Sequence, residues 1–329
     1  MLGLACGSCS TDNKQESTSM EDRKEKLVEE FGVYEEEVSP ENEAYYKAYD
    51  KTLGLWQTVY HQVYVPTSYG EAHVVVSGPK DAEPLVLLHG MNASSTMWYP
   101  NAEALSKKYR IYAIDYLLEP GKSKVTGEVG SMEQVTDWYT QVVDGLKLER
   151  FTLVGASKGG WLAINYALVQ RDRVDRLILL SPVQAFAWIK PGLEMVSNLS
   201  YAISPSKEDL NEMMSGMSVN ADLIAEAYKN QYLLGTKNSE EDILIVKMRP
   251  FSDEKLETLD LPVLLLIGDD DAMNSSKTIK EAKKILPQVE TETVKDAGHF
   301  LSVDQPELIN QRILDFIEKH PVSTEAGED

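Results

Sequence analysis

From about residue 55 onward, short apolar runs recur along the chain, and stretches with helical spacing separate them. Leu85-Val86-Leu87-Leu88, Ile111-Tyr112-Ala113-Ile114, Phe151-Thr152-Leu153-Val154, Leu177-Ile178-Leu179-Leu180 and Val263-Leu264-Leu265-Leu266-Ile267 are continuous rather than alternating. Strands buried on both faces read that way. A weaker run lies at Thr291–Val294. Gln57–Thr67 and Glu71–Gly78 are β-rich and flank Ser68-Tyr69-Gly70, the pattern of an antiparallel hairpin. Ser131, with Gln134 three residues on, has capping-box spacing ahead of a helix running to Leu146. Trp161–Gln170 is apolar enough for a buried helix, and Pro306 suits a first helical position before Leu308, Ile309, Ile313, Phe316 and Ile317. The alternation predicts an α/β fold with a mostly parallel, doubly wound sheet and helices on both faces. Right-handed crossovers then gather the functional loops at the carboxyl ends of the strands.

One interval breaks the rhythm. Between Pro182 and Leu261 no convincing parallel strand occurs, but Phe186, Trp188, Met195, Met213, Met214, Met217, Tyr228 and Tyr232 do. Such an interval is too long for a simple loop. It predicts a helical cap over 183–258, its core packed by most of these residues and a substrate pocket walled by the rest, with methionine supplying adaptable surface. The core then comprises 44–182 and 259–320. Residues 1–43 form a polar, acidic extension, partly disordered, in which 20–43 reads as a solvated helix or an acidic linker. Residues 321–329 form a disordered tail.

Composition narrows the partners. The 329 residues are 43% hydrophobic and 26% charged, as in ordinary globular chains. Lys and Arg total 32 against 53 Asp and Glu, a net charge of −21. A surface that acidic repels phosphate backbones and anionic headgroups, which speaks against nucleic acid as a partner. No run reaches the roughly 18 apolar residues of a membrane span. The two cysteines, Cys6 and Cys9, cannot staple the fold or complete a zinc site alone. Met1–Cys6 followed by a polar stretch resembles the end of a bacterial lipoprotein signal, although no basic region or full apolar segment precedes Cys6. A lipidated Cys6 would mean a membrane-tethered envelope protein; a complete, unprocessed N-terminus would mean a cytoplasmic one.

The chemistry gathers at strand ends. Gly155-Ala156-Ser157-Lys158-Gly159-Gly160 is a G-x-S-x-G with a β-run directly before it and a buried helix directly after. A serine on such a turn is forced into a strained backbone conformation with its hydroxyl exposed, and a Cβ at either flanking glycine would collide with a neighbouring element. A serine hydroxyl needs a base. Of five histidines, His61 and His73 fall in the N-terminal hairpin, away from strand carboxyl ends, His320 is in the tail, and His89 reads as structural. His299, in Asp296-Ala297-Gly298-His299-Phe300, remains as the general base. The base needs a carboxylate to set its tautomer, and Asp269, Asp270 and Asp271 all follow the strand Val263–Ile267. Asp271, three residues after Gly268, fits best, and Asp270 is the alternative. For an oxyanion, the backbone N–H groups of Met91 and Lys158 are the candidates, with no catalytic part for either side chain. Lys158 is unusual beside a nucleophile, and a nearby carboxylate is its expected partner. Gly121-Lys122-Ser123 is no phosphate loop, because the required glycine five residues earlier is Tyr116. No G-x-G-x-x-G follows a strand, and no H-E-x-x-H occurs.

Together His89-Gly90, Asp115 with Gly121-Lys122-Ser123, Gly155-x-Ser157-x-Gly159, Gly268-x-x-Asp271 and Gly298-His299 resemble the α/β-hydrolase superfamily over about residues 55–320. Leu88–Trp98 is similar to small bacterial carboxylesterase-like members. The resemblance implies an eight-stranded core, a cap after the sixth strand, no cofactor, and hydrolysis of a small-molecule ester through an acyl-enzyme. The departures are the acidic extension, Lys158, and Leu117-Leu118-Glu119 where a glycine-bearing turn is usual, a change expected to reshape the pocket rim. A ligand-binding receptor that keeps the triad but turns over slowly is the alternative from another functional class.

Overall fold

A computed structural model of the chain describes residues 19–189, 201, 205–238 and 242–322. Cys6, Cys9, Met195 and residues 323–329 lie outside them.

Eight strands form a continuous sheet: β1 (Tyr60–Thr67), β2 (Gly70–Ser77), β3 (Pro84–Leu88), β4 (Arg110–Ile114), β6 (Phe151–Ala156), β7 (Val174–Leu180), β8 (Val263–Gly268) and β9 (Val289–Val294). A two-residue strand, β5 (Lys124–Val125), pairs with β2 at the side. The spatial order is β1-β2-β4-β3-β6-β7-β8-β9, antiparallel across β1-β2-β4 and parallel from β4 onward. Each expected strand is present within a few residues of its predicted bounds.

The continuous apolar runs are explained by side-chain alternation. In β3, Leu85 and Leu87 join one core while Val86 and Leu88 join the other; in β8, Leu264 and Leu266 oppose Val263, Leu265 and Ile267. Successive strand side chains point to opposite faces, and here both faces are covered. One layer holds the helices Met132–Gly145, Lys158–Val169 and Ser276–Ile285, with Trp138, Trp161 and Ala282 facing the sheet. The other holds Glu43–Leu53, Ala102–Ser106 and Pro306–Lys319, with Tyr49, Leu105 and Ile313 facing it.

Local signals operate largely as read. The Ser131 hydroxyl accepts from the Gln134 amide at 3.3 Å, but the Gln134 side chain takes the Gly130 N–H rather than closing the box on Ser131. Pro306 opens its helix at the first turn. The acidic segment after residue 20 resolves as the helix Met20–Phe31, capped reciprocally by Ser19 and Asp22. It is not only solvated: Leu27 is buried, and Glu30 accepts from the Arg110 guanidinium at 2.7 Å on the sheet. Between β7 and β8 the described residues contain the helices Lys207–Met217 and Glu226–Asn238. The second packs on Glu43–Leu53 so closely that a Cβ on Gly235 would lie 2.8 Å from Pro120 and 3.1 Å from Tyr45.

Candidate active site

Four loops meet where parallel strands end. Ser157 follows β6 with φ 52° and ψ −118°, a backbone conformation L-residues rarely adopt. Its neighbours impose this. A Cβ on Gly155 would come 2.3 Å from the Gly159 carbonyl oxygen, and one on Gly159 would come 2.3 Å from that of Leu88. The turn is thus wedged between its own helix and β3, and strain of this kind concentrates where function holds it.

His299 lies past β9 and is 5% exposed. Its Nε2 is 2.9 Å from Ser157 Oγ and its Nδ1 is 3.0 Å from Asp271 Oδ1. The Asp271 carboxylate also accepts the Met273 amide at 2.8 Å, the Asn274 amide at 3.0 Å and Asn274 Nδ2 at 3.0 Å. Burial by itself would raise that carboxyl. The facing imidazole and the donated N–H groups outweigh it and hold the group well below the usual carboxylate range. Asp270 is exposed, and Asp269 accepts the Ala297 amide at 3.2 Å. Of the three adjacent carboxylates, the structure therefore brings Asp271 to His299 and leaves Asp270 in solvent.

The loop after β3 completes the junction. A Cβ on Gly90 would sit 3.4 Å from Ser157 Cβ, so this loop lies against the serine. His89 Nε2 accepts the Tyr116 amide at 2.8 Å, which leaves Nδ1 to donate to the Gly90 carbonyl at 2.8 Å. Burial pushes the His89 imidazole down, consistent with this neutral tautomer. In a trans peptide the C=O and N–H point opposite ways. Holding the Gly90 oxygen therefore aims the Met91 N–H away from His89. Among the described residues neither the Met91 nor the Lys158 amide donates to a protein acceptor.

His73 requires a correction. Its position in the hairpin suggests a place away from strand carboxyl ends, yet β2 runs antiparallel to β4, so the start of β2 sits beside the end of β4. There His73 Nδ1 is 2.9 Å from Asp115 Oδ2, both side chains fully buried. Asp115 also accepts from Tyr49 Oη and from the Ser95 and Lys122 amides, and His73 Nε2 faces Gln62 Oε1 at 3.1 Å. Ser123 Oγ bonds the backbone of the pair, accepting the His73 amide at 2.9 Å and donating to the Asp115 carbonyl at 2.6 Å, and among the described residues no serine hydroxyl bonds a ring nitrogen of His73. His61 stacks on Phe31, and His320 pairs with Glu290.

Several residues escaped the sequence reading. Asp304, 4% exposed, accepts the Gly298 amide at 2.7 Å, the Asn220 amide at 3.1 Å and the Ser218 hydroxyl. The Met217 carbonyl accepts the His299 amide at 2.7 Å and the Phe300 amide at 3.1 Å. The histidine loop is thereby bonded to the end of the helix Lys207–Met217. Met213, Met214 and Met217 of that helix cluster with Tyr201, Ile224 and Tyr228, against Met97, Tyr99, Met273 and Phe300 from the loops around the junction. Phe186 instead belongs to the core, and Trp188 is largely exposed. Lys158 finds its expected carboxylate twice over: its ammonium pairs with Glu119 and, at 2.6 Å, with Asp242. Nothing in local sequence marks Asp242, which lies 84 positions away.

Residues 83–306 match the family model for the alpha/beta hydrolase fold. The carboxylesterase YbfK of Bacillus subtilis (strain 168) is 34% identical over 280 residues, spanning 83% of this chain and 93% of that protein. A second protein of the same organism, named as the uncharacterized carboxylesterase nap, is 33% identical over 283 residues, 85% of this chain and 94% of its own length. The crystal structure of naproxen esterase from B. subtilis superposes with a TM-score of 0.80 at 30% identity, covering 86% of this chain and 100% of that one.

Proposed function

The chain belongs to the α/β-hydrolase family, and we propose that it is a serine hydrolase cleaving small, largely apolar carboxylic esters through an acyl-enzyme. Similarity to two carboxylesterases over most of both chains supports ester cleavage. The observation that carries the mechanism is the bridging imidazole of His299, within hydrogen-bond reach of Ser157 on one side and Asp271 on the other. In this reading Ser157 Oγ attacks the ester carbonyl as His299 Nε2 takes its proton. Asp271 holds Nδ1 protonated, so Nε2 is the free base, and stabilises the imidazolium that forms. The carbonyl oxygen becomes an oxyanion held by the Met91 and Lys158 amides. His299 returns the proton to the leaving alkoxide, which departs as an alcohol. Water then adds to the acyl-serine by the same proton route, releasing the acid and restoring Ser157. The methionine- and tyrosine-rich cluster beside the junction favours apolar acyl or alkyl groups.

The test is hydrolysis of p-nitrophenyl butyrate together with fluorophosphonate labelling. Wild type turns over the ester and is labelled, and Ser157→Ala loses both while melting cooperatively near the wild-type temperature. Undiminished turnover by Ser157→Ala would overturn the assignment.

A further inference from the structure

Lys158 and Glu119 are two of the chain's departures from the family pattern, and they meet. Lys158 Nζ, 3% exposed as a side chain, lies between Glu119 and Asp242, at 4% and 5%. Its ammonium also sits 4.8 Å from the Tyr116 ring centroid. Glu119 has a second contact: Oε2 accepts the Asn92 backbone N–H at 2.7 Å. Asn92 stands at φ 55° in a turn closed by the Ala93 amide on the Gly90 carbonyl at 3.3 Å. The peptide joining Met91 to Asn92 is held at its other end too, since Tyr232 Oη donates to the Met91 carbonyl at 3.3 Å. Asp242 and Tyr232 both come from the insertion between β7 and β8, and Asp242 also accepts the Leu244 amide at 2.9 Å.

Satisfying one turn amide does not need three buried charges. A buried ion pair is a weak source of stability compared with apolar packing, and its best-attested use is to fix one conformation. Here the charges connect two particular places. The residue whose amide is one proposed oxyanion donor, Lys158, reaches through its side chain and Glu119 to the peptide adjoining the other donor, Met91. The bridge spans two loops that otherwise depend on different strands.

Resting on the hydrolase reading above, we infer that Glu119 is a positioning residue for the oxyanion donors, that Lys158 holds it in place, and that Asp242 ties this device to the insertion. The cluster carries two carboxylates and one ammonium. Removing the ammonium alone leaves the cluster two negative charges with none to offset them, whereas removing the Glu119 charge along with it restores the wild-type net charge of one negative. This makes the pair's behaviour in combination diagnostic.

The experiment measures kcat and KM for p-nitrophenyl butyrate, per fluorophosphonate-titrated site, and the inhibition constant of an aliphatic trifluoromethyl ketone. That ketone forms a tetrahedral oxyanion with a reactive serine and reports on the donors. Glu119→Ala and Lys158→Met should lower kcat about 10- to 100-fold, short of the loss from deleting a donor outright, with KM within about twofold. The ketone's inhibition constant should rise in parallel. Glu119→Gln keeps an acceptor for Asn92 only by turning its NH2 to the Lys158 ammonium, so it should fall between wild type and Glu119→Ala. Lys158→Met/Glu119→Gln should exceed Lys158→Met by about fivefold or more. A merely structural role would lower the melting temperature and leave kcat per titrated site and ketone affinity unchanged. Wild-type values in Glu119→Ala, or a double variant no better than Lys158→Met, would each overturn the inference. Should Glu119→Ala fail to fold, the double variant still decides. An active Ser157→Ala would instead sink the hydrolase assignment itself, so the two failures are distinguishable.

Discussion

Asp271→Asn separates the carboxylate's charge from its geometry. The side chain keeps its shape, and its remaining oxygen can still accept the Met273 and Asn274 amides that Oδ1 accepts at 2.8 and 3.0 Å. That oxygen is also the one facing His299 Nδ1 at 3.0 Å, so the new amide nitrogen takes the Oδ2 place, opposite Asn274 Nδ2. Turning over the Asn274 amide meets this nitrogen with an oxygen, and the Thr278 hydroxyl, 3.2 Å from Asn274 Oδ1, can accept as well as donate. His299 thus keeps its acceptor at Nδ1 and its tautomer, and loses only the negative charge beside the ring. Ser157 then gives up its proton less readily, because the imidazolium that receives it is no longer stabilised. The expected loss in kcat is about 10²- to 10⁴-fold, equivalent to about 2.7–5.4 kcal/mol of transition-state stabilisation. Stability should fall by only about 1–3 kcal/mol, because most buried donors keep an acceptor. Initial rates on p-nitrophenyl butyrate, with urea melts of the same preparations, measure both quantities. Asp270→Asn, at an exposed position, is the control and should stay within about twofold, as surface changes do. Retention of more than a tenth of wild-type kcat by Asp271→Asn, or an equal loss in Asp270→Asn, would refute the reasoning.

Three further outcomes follow from the same geometry. The Asp271 carboxyl titrates below its unfolded value of about 3.9, so its stabilising contribution is complete above that pH and is lost as pH falls toward the folded value. The difference in melting temperature between wild type and Asp271→Asn should therefore be constant at neutral pH and close below about pH 4; a gap that widens on acidification would contradict the assigned sign. Asp115→Ala should cost about 3–5 kcal/mol in urea unfolding, since it strands the buried His73 imidazole and the Ser95 and Lys122 amides; a loss below about 1 kcal/mol would mean this pair is dispensable. Gly159→Ala, which drives a Cβ to 2.3 Å from the Leu88 oxygen, should abolish fluorophosphonate labelling even in protein recovered folded, and wild-type labelling would show that the elbow can move away from β3.

Much was legible before any coordinates. A strand buried on both faces carries a near-continuous apolar run, so β3, β4, β6, β7 and β8 announce themselves, and their alternation with helices leaves few arrangements. The turn that carries Ser157 was legible because its glycines answer to close backbone contacts that no other residue allows. Ser157, His299 and Asp271 carry groups of distinctive chemistry just past strand ends, where the topology collects them. Tertiary structure alone decided what depends on approach between segments without local signature. It selected Asp271 over Asp270 by burying one beside His299 and leaving the other in solvent. It also brought His73 to Asp115 through antiparallel pairing, and it placed Glu119, Lys158 and Asp242 in one buried cluster. A charged residue reads alike in a solvated turn and in a buried ion pair. Only the partner distinguishes the two, and the partner is set by packing rather than by the residues on either side.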